Sequence, residues 1–400
     1  IKKKEYSEPT LRIFNGDHEG YARLYLKDNF ANIFIDPDHE DEIYKEDLFP
    51  KDFIIGLDAP SNYFGPAKVF LEEDDKNEVQ DEDVTRARLY LREIDDNEVH
   101  IPIKHKIDHD FNMLPESLMT ALRTFLLART IRNLRGQGDQ HCSMLVNASR
   151  FTGIQGKIRN RLHEALDRIL NAIRVNASKK DNALSNVEIK LLHDVWLEEY
   201  SHLEETWEEI LGNLLESIAA AKVVEVNSRT NELDYEAASD KGKTLIAVGG
   251  FSLSRGLKLE GLTVTWFLRN TQMYDTLMQM GRWFGYRNKY EDLCRIWMPE
   301  EAIGWYTYIA SATIELHDEL RSMQAQKATP GEFGLAVRSH PASLLVTARN
   351  KLGSGKKIKA NIGLSNKFTE TARLSLDSNH LDQNVLAAKE LVSKLTNAPD

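Results

Sequence analysis

Ser239 to Val264 reads SDKGKTLIAVGGFSLSRGLKLEGLTV, and Gly242-Lys243-Thr244 within it is the triplet with which a phosphate-binding loop ends. Such a loop needs a Gly-rich bend after a strand, N–H groups that cradle phosphates, and a helix beginning at the Lys-Ser/Thr. The position five before Gly242 is Ala237, not Gly, and Thr244 leads directly into LIAVGG, a strand pattern. The triplet is therefore a polar turn entering a strand, and no other Gly-Lys-Thr/Ser has the required spacing. The strand ends in GGFSLSRG. Glycines there let the backbone approach a ligand, and Ser254 and Arg255 project from the carboxyl end of the strand, the edge where open parallel sheets bind ligands.

Strands and helices alternate on both sides of this stretch. Upstream, HCSMLVNASRF places a short buried strand, Ser143 to Asn147, ahead of a helix with Ile154, Ile158, Leu162, Leu166, Ile169 and Ile173 at helical spacing. Downstream, LTVTWFL and LCRIWMP are strands, and YDTLMQMGRWFGY between them is helical by composition. KVVEVN is a further strand. PESLMTALRTFLLARTIRNLRGQG has Pro at a helix start and Gly at its end. Leu118, Leu122, Phe125 and Leu126 form its apolar stripe, and Arg123, Arg129, Arg132 and Arg135 a basic side read as a solvated face. A strand delivering polar residues to a helix start is the unit of an α/β parallel sheet. SKKDNALSN breaks the pattern, and the acidic amphipathic helices after it read as an insertion over about 178–222. DFIIGLD and AKVFLEE read as strands or buried turns. The expected organisation is an acidic region over 1–112, an α/β lobe over 113–312, and a C-terminal extension over 313–400; helix is expected from Ala302 to Gln326.

The net charge of −11 is unusual for a nucleic-acid binder. Asp36 to Glu98 holds 21 acidic and 7 basic side chains, a local net of −14, so the rest of the chain is slightly basic at +3. The acidic region reads as a solvated, partly disordered surface or as a mimic of phosphate charge guarding a basic groove. Two cysteines, Cys142 and Cys294, are too few for a disulfide framework or a zinc cluster. No run of about 18 apolar residues is present, and IKKKEY has no apolar signal-peptide core. A reducing cytoplasm fits, and the initial Ile suggests excision from a longer protein.

Metal-dependent nuclease chemistry needs a Pro-Asp followed by an acidic-x-Lys on adjoining strands. Glu188-Ile189-Lys190 supplies the second half in a helical stretch with no suitable Pro-Asp before it, and Pro37-Asp38 has no acidic-x-Lys at usable distance. His100, His105 and His109 lack metal-site spacing and read as a polar loop. Trp283, Phe284 and Tyr286 read as core, or as a stacking surface for bases. No metal site is expected in this chain.

SMLVNASR, GGFSLSRGLKLEGLTVTWFLRN and YDTLMQMGRWFGYRNKYEDLCRIWMP resemble the fourth, fifth and sixth motifs of superfamily-two helicases, in the order of the second RecA-like lobe. The close resemblance, over roughly residues 30 to 360, is to the Z1 domain family, which carries an endonuclease label and is associated with bacterial restriction and phage defence. It implies a RecA-like parallel sheet and the C-terminal part of an ATP-dependent, DNA-acting motor. The phosphate loop and Mg-binding motif, and so most contacts to ATP and Mg, would lie upstream in an N-terminal motor lobe. The implied catalytic residues are Arg282, Arg287 and Gln279, the nucleotide-binding ones Gly256 and Gly281, and the nucleic-acid-binding ones Ser143, Arg150, Ser254 and Arg255. The implied partners are DNA, the N-terminal lobe and other defence-system proteins, with no membrane. Two departures stand out. Leu26-Lys27-Asp28-Asn29 occupies the place of a Thr-Ala-Thr-Pro before FANIF. In the sixth motif Gln279 is two residues before Gly281, and Arg287 is five after Arg282. Arg282 is the favoured arginine finger. A non-catalytic scaffold or protein-interaction module is the alternative reading.

Overall fold

A computed structural model describes residues 54–57, 59–71, 89–226, 233, 235, 242–250, 259–268, 274–329, 385, 386 and 389. The chain divides into two units, 1–353 and 354–400. In the second, Val385, Leu386 and Lys389 are helical and exposed.

In the first unit the elements run β1 (Tyr63–Phe64), α1 (Pro66–Phe70), β2 (Leu91–Glu93), α2 (Asn97–His100), α3 (Glu116–Leu134), β3 (Cys142–Asn147) and α4 (Thr152–Asn176). A 3₁₀ stretch (Ala177–Ser185) leads to α5 (Val187–Glu199) and α6 (Trp207–Ile218). Then come β4 (Lys222–Val226), β5 (Thr244–Gly249), β6 (Leu262–Phe267), α7 (Tyr274–Met280), β7 (Gly285–Tyr286), β8 (Arg295–Met298) and α8 (Glu300–Ala325). Six strands form one sheet in the order β2-β8-β6-β3-β5-β4, every neighbouring pair parallel. The fold is a RecA-like α/β sheet with flanking helices. β3, β5, β6 and β8 are buried along their whole length, as parallel strands covered on both faces must be, and so read as continuous apolar runs. β1 and β7 form a separate antiparallel ribbon.

The α4 stripe from Ile154 to Ile173 is buried as its spacing requires. α3 starts on a cap borrowed from upstream: the Ser117 N–H and hydroxyl both donate to the Asp96 carboxylate, at 2.8 and 2.6 Å, and Trp266 Nε1 of β6 donates to Ser117 Oγ at 3.2 Å. α6 carries a capping box between Thr206 and Glu209.

Two expectations need correction. The basic side of α3 is not solvated, because α5 and α6 pack on that helix and every residue from Ala121 to Arg132 is buried. Its guanidiniums satisfy carbonyls and carboxylates instead, Arg123 pairing with Glu116 and Arg135 with Glu205 and Asp292. Arg129 donates to Gln137, Gly138 and Gln140, and Arg132 to Gly261, the Gln137 amide and Thr263. Leu91–Glu93, within the expected acidic region, supplies an edge strand paired with β8. Finally, Ala67–Phe70 is helical, with Pro66 in the first turn where its missing N–H costs nothing.

One carboxylate ties these parts together. Glu199, at the end of α5, accepts from Arg92 Nε and Nη2 of β2 at 2.7 and 2.6 Å and from Arg295 Nε of β8 at 2.6 Å. Glu199 and Arg295 are each 1% exposed. Burial alone would lower the Arg295 pKa, and neighbouring Tyr200 and Glu199 outweigh it, holding the group above its usual value. Removing one member of such a group strands the others uncompensated. Glu199→Ala is therefore expected to lower unfolding free energy by about 3–5 kcal/mol in urea titrations; a loss below about 0.5 kcal/mol, the level of a surface substitution, would show that the network carries no stability.

Both cysteines are buried, and burial pushes the Cys294 thiol up to about 12. The thiolate is the reactive form, so the folded protein is expected to resist thiol-specific reagents at pH 8 and to react at both positions once unfolded. The unfolded chain gives up the Cys294 proton near the ordinary value of 9.0 and the folded chain does not, so this thiol makes stability fall as pH rises from there towards about 12.

Candidate functional site

The carboxyl ends of β3, β5 and β6 lie side by side, because β3 pairs with both other strands. β3 leaves this edge through Ala148-Ser149-Arg150 and turns into α4, whose 25 residues start after Phe151 with no side-chain cap and no acidic residue in the first turn. The N-terminus of a helix presents orphan N–H groups and the positive end of the helix dipole, and Thr152 and Gly153 there are exposed. Arg150 is exposed beside them, its guanidinium carbon 4.8 Å from the Phe151 ring centre. The turn is thus positive in character and accessible to an anion.

Beneath it the packing is tight. Ser149 Oγ accepts from the Phe151 N–H at 3.1 Å and lies 2.7 Å from His105 Nε2, and His105 Nδ1 lies 2.7 Å from the Pro102 carbonyl. A carbonyl can only accept, so Nδ1 is the donor. The second ring nitrogen, Nε2, is thereby left to pair with the Ser149 hydroxyl. His105 therefore ties the 101–113 loop to the turn, and the loop's histidines act in backbone contacts: His109 Nε2 is 2.8 Å from the His100 carbonyl. Gln155 Nε2 donates to the Ser149 carbonyl at 2.9 Å. A Cβ on Gly250, just past β5, would overlap that carbonyl and come within 2.6 Å of Gln155 Nε2. Asn147 Oδ1 and Gln155 Oε1 are buried and unpartnered here.

Of the four residues assigned to nucleic acid, the structure puts Arg150 on this edge. Ser143 sits at the opposite end of β3, fully buried, its hydroxyl donating to the Glu260 carbonyl at 2.7 Å and 2.9 Å from the Tyr235 hydroxyl. It is not brought together with Arg150. Ser254, Arg255 and Gly256 lie outside the described residues, in the segment after Gly250. Sequence reasoning missed Asn147, Ser149, Gln155 and His105 as site residues; the polar run closing SMLVNASR is the available signal for the first two. His105 and Gln155 reach the turn from other elements.

The second cluster lies beyond β6. α7 ends at Met280, shorter than its composition suggests, because Gly281 opens a turn and Gly285, with φ 141°, leads into β7. Gln279 is exposed and Gly281 is buried, where a Cβ would stand 2.5 Å from the Phe284 ring. Trp283 is core, 2% exposed, with ring centres 5.5 Å from Phe267 and 5.2 Å from Tyr306 of α8. Tyr286 is exposed on β7 and edges Tyr63. Arg282 is half-buried, and burial lowers its pKa from the ordinary arginine value. Arg287 Nη2 faces the carbonyls of Trp283, Arg282 and Phe284 at 2.8, 3.3 and 3.4 Å, and Nη1 donates to the Tyr286 carbonyl at 3.1 Å.

The Gly242-Lys243-Thr244 turn is at the amino edge. Thr244 begins β5, the Lys243 N–H donates to His141 Nδ1 at 3.0 Å, and a Cβ on Gly242 would overlap the Gln140 carbonyl. A cleft of about 370 Å³ lined by Asn62, Tyr90, Arg287, Asn288 and Lys289 precedes β8, at the amino rather than the carboxyl edge. Among the described residues no three His, Cys, Asp or Glu side chains are grouped to hold a metal ion, and no helix is long and apolar enough to cross a membrane.

The profile of the Z1 domain matches residues 117–345. The chain belongs to the Z1 domain family. The match spans α3 to α8 and so covers both clusters apart from His105, while β1 and β2 stand upstream of it. Comparison with curated proteins and with solved structures gave no match.

Gly250→Ala tests how closely the β5 exit and the β3–α4 turn of this Z1 domain are packed. The substitution forces the Ser149 carbonyl or the Gln155 amide to move, and a loss of about 1–3 kcal/mol in thermal or urea unfolding is expected. Unchanged stability would mean that the two exits are looser than the geometry requires.

Proposed function

We propose that this chain is the C-terminal part of an ATP-dependent, DNA-acting motor of the superfamily-two helicase-like kind, working in the bacterial cytoplasm in restriction or phage defence. The observation that carries the reading is a convergence. The SMLVNASR turn and the Gly-Gly exit of β5 meet at one edge of a parallel sheet, and Trp283 of QMGRWFGYR packs on Phe267 at the β6 exit beside them. Ligand sites in open parallel sheets form at that edge.

The chain's own residues divide between two tasks on this reading. The exposed N–H groups of α4 and the Arg150 guanidinium suit the phosphates of DNA, which position a duplex or strand without reading its sequence. Arg282 suits a γ-phosphate held by a neighbouring lobe, because a guanidinium is always charged and donates in a planar fork. The fit to ATP and Mg is partial. Arg282 is the contact the described residues offer to ATP, and on this reading the remaining contacts to ATP and Mg come from an upstream motor lobe. The endonuclease label has no counterpart in the described side chains: Glu188-Ile189-Lys190 lies in α5, where Glu188 pairs with Arg123 and Arg168. Pro37-Asp38 lies outside the described residues. DNA cleavage is not part of the proposal. Other defence-system proteins are the expected further partners.

The burial of Thr244 at a strand start favours a second reading, in which the lobe is a non-catalytic scaffold. The two separate in the full-length protein. Arg282→Ala is expected to reduce ATP turnover about 10³-fold or more while nucleotide affinity changes little, since a finger acts on charge formed in the transition state. Lys is not expected to rescue it. Wild-type turnover in that variant would overturn the motor reading for this lobe, and absence of hydrolysis in the parent protein would favour the scaffold.

A further inference from the structure

Arg282 and Arg287 pair naturally as the two arginines of a sixth motor motif, and the Arg287 side chain is already engaged. Arg287 Nη2 has two hydrogens and already faces three carbonyls, those of Arg282, Trp283 and Phe284, at 3.3, 2.8 and 3.4 Å. Nη1 is engaged by the Tyr286 carbonyl at 3.1 Å. All four acceptors belong to the turn between α7 and the end of β7. Gly285 gives independent testimony to where the guanidinium lies. A Cβ at that position would stand 3.2 Å from Arg287 Nη1, and the φ of 141° is one that a side chain would oppose. The glycine leaves the space that the guanidinium fills.

We infer that Arg287 is a positioning residue that clamps the Gly281–Tyr286 turn through its own carbonyls and thereby sets where Arg282 is presented. Reaching a phosphate would require Arg287 to release those carbonyls, so it does not serve as a second finger. The five-residue spacing from Arg282 is what lets the side chain fold back over the turn. Other contacts hold the same turn, among them the Arg282 N–H donating to the Met280 carbonyl at 2.7 Å and Trp283 packing in the aromatic core against Phe267 and Tyr306. Trp283 fixes the middle of the turn and Arg287 fixes its carbonyl face. Arg282 is thus carried between two anchors. The clamp rests on the geometry alone; its consequence for turnover rests on the motor reading.

The test uses the full-length protein with Arg287→Ala, Arg287→Lys and Arg282→Ala, and reads amide hydrogen exchange across residues 281–287, ATP turnover and ATP affinity. Arg287→Ala is expected to speed exchange in that segment about tenfold or more, because charge-assisted hydrogen bonds to the turn are lost. Turnover should fall while ATP affinity stays within about twofold, the signature of a group that does not itself touch the bound nucleotide. Arg287→Lys restores a cationic donor near the same carbonyls and should recover most of the protection and part of the turnover. It also keeps the test alive should the alanine variant fail to fold. Arg282→Ala should leave exchange in 281–287 near the parent level. Unchanged exchange in Arg287→Ala overturns the clamp, whether turnover is lost or kept. If the parent protein hydrolyses no ATP, the motor reading fails and the exchange result alone decides the clamp: faster exchange supports it, and unchanged exchange sinks it.

Discussion

A single carboxylate, that of Glu199, is shared by two guanidiniums that reach it from opposite parts of the chain, Arg92 in the edge strand β2 and Arg295 in β8. Charges this deeply buried are tolerated only when paired and hydrogen-bonded. The arrangement meets that condition: Arg295 Nη2 also donates to the Glu199 carbonyl at 2.7 Å, and Nη1 to the Asp292 and Cys294 carbonyls. The cost of leaving any member alone is what makes the group organise its surroundings. It fixes the end of α5 against the sheet and holds β2 in register with β8. Through α5 it also helps to keep α3 covered. The helical insertion is thereby part of the core and not an appendage on it.

With the helical layer fixed on the sheet, the carboxyl edge is left as the place where polar groups collect. β3 must turn sharply into α4 there, and the space for that turn is set by Gly250 just past the neighbouring strand. The turn's own polar atoms are mostly satisfied internally, by His105, Gln155 and the Phe151 N–H. The uncapped helix start and Arg150 remain outward-facing. The amino edge is built in the opposite manner, with arginine side chains folded onto carbonyls: Arg129 on three of them, Arg132 on Gly261. The two edges differ in whether their donors are already used.

The same distinction separates residues of one type. Arg123, Arg129, Arg132, Arg287 and Arg295 look alike in the sequence to Arg150. Five of them are spent on carbonyls and carboxylates inside the lobe. A guanidinium is suited to either use, because it presents a planar fork of donors and never loses its charge. Residue type alone therefore says nothing about which arginine meets a ligand.

The order and kind of the central elements could be read from local pattern. Continuous apolar runs mark β3, β5, β6 and β8, the Ile154–Ile173 stripe marks α4, and the strand after Thr244 rules out a phosphate loop. These features rest on periodicity and turn chemistry, which act over a few residues. The sequence by itself also singles out SMLVNASR, the β5 exit and QMGRWFGYR as the places to look. Strand order and long-range pairing were not legible. β2 joining the sheet beside β8, Ser143 facing the amino edge, His105 bonding to Ser149 across 44 positions, and α3 losing its solvated face all depend on segments far apart in the chain. They are decided by burial and by the pairing that burial enforces, and only the assembled tertiary structure supplies the partners.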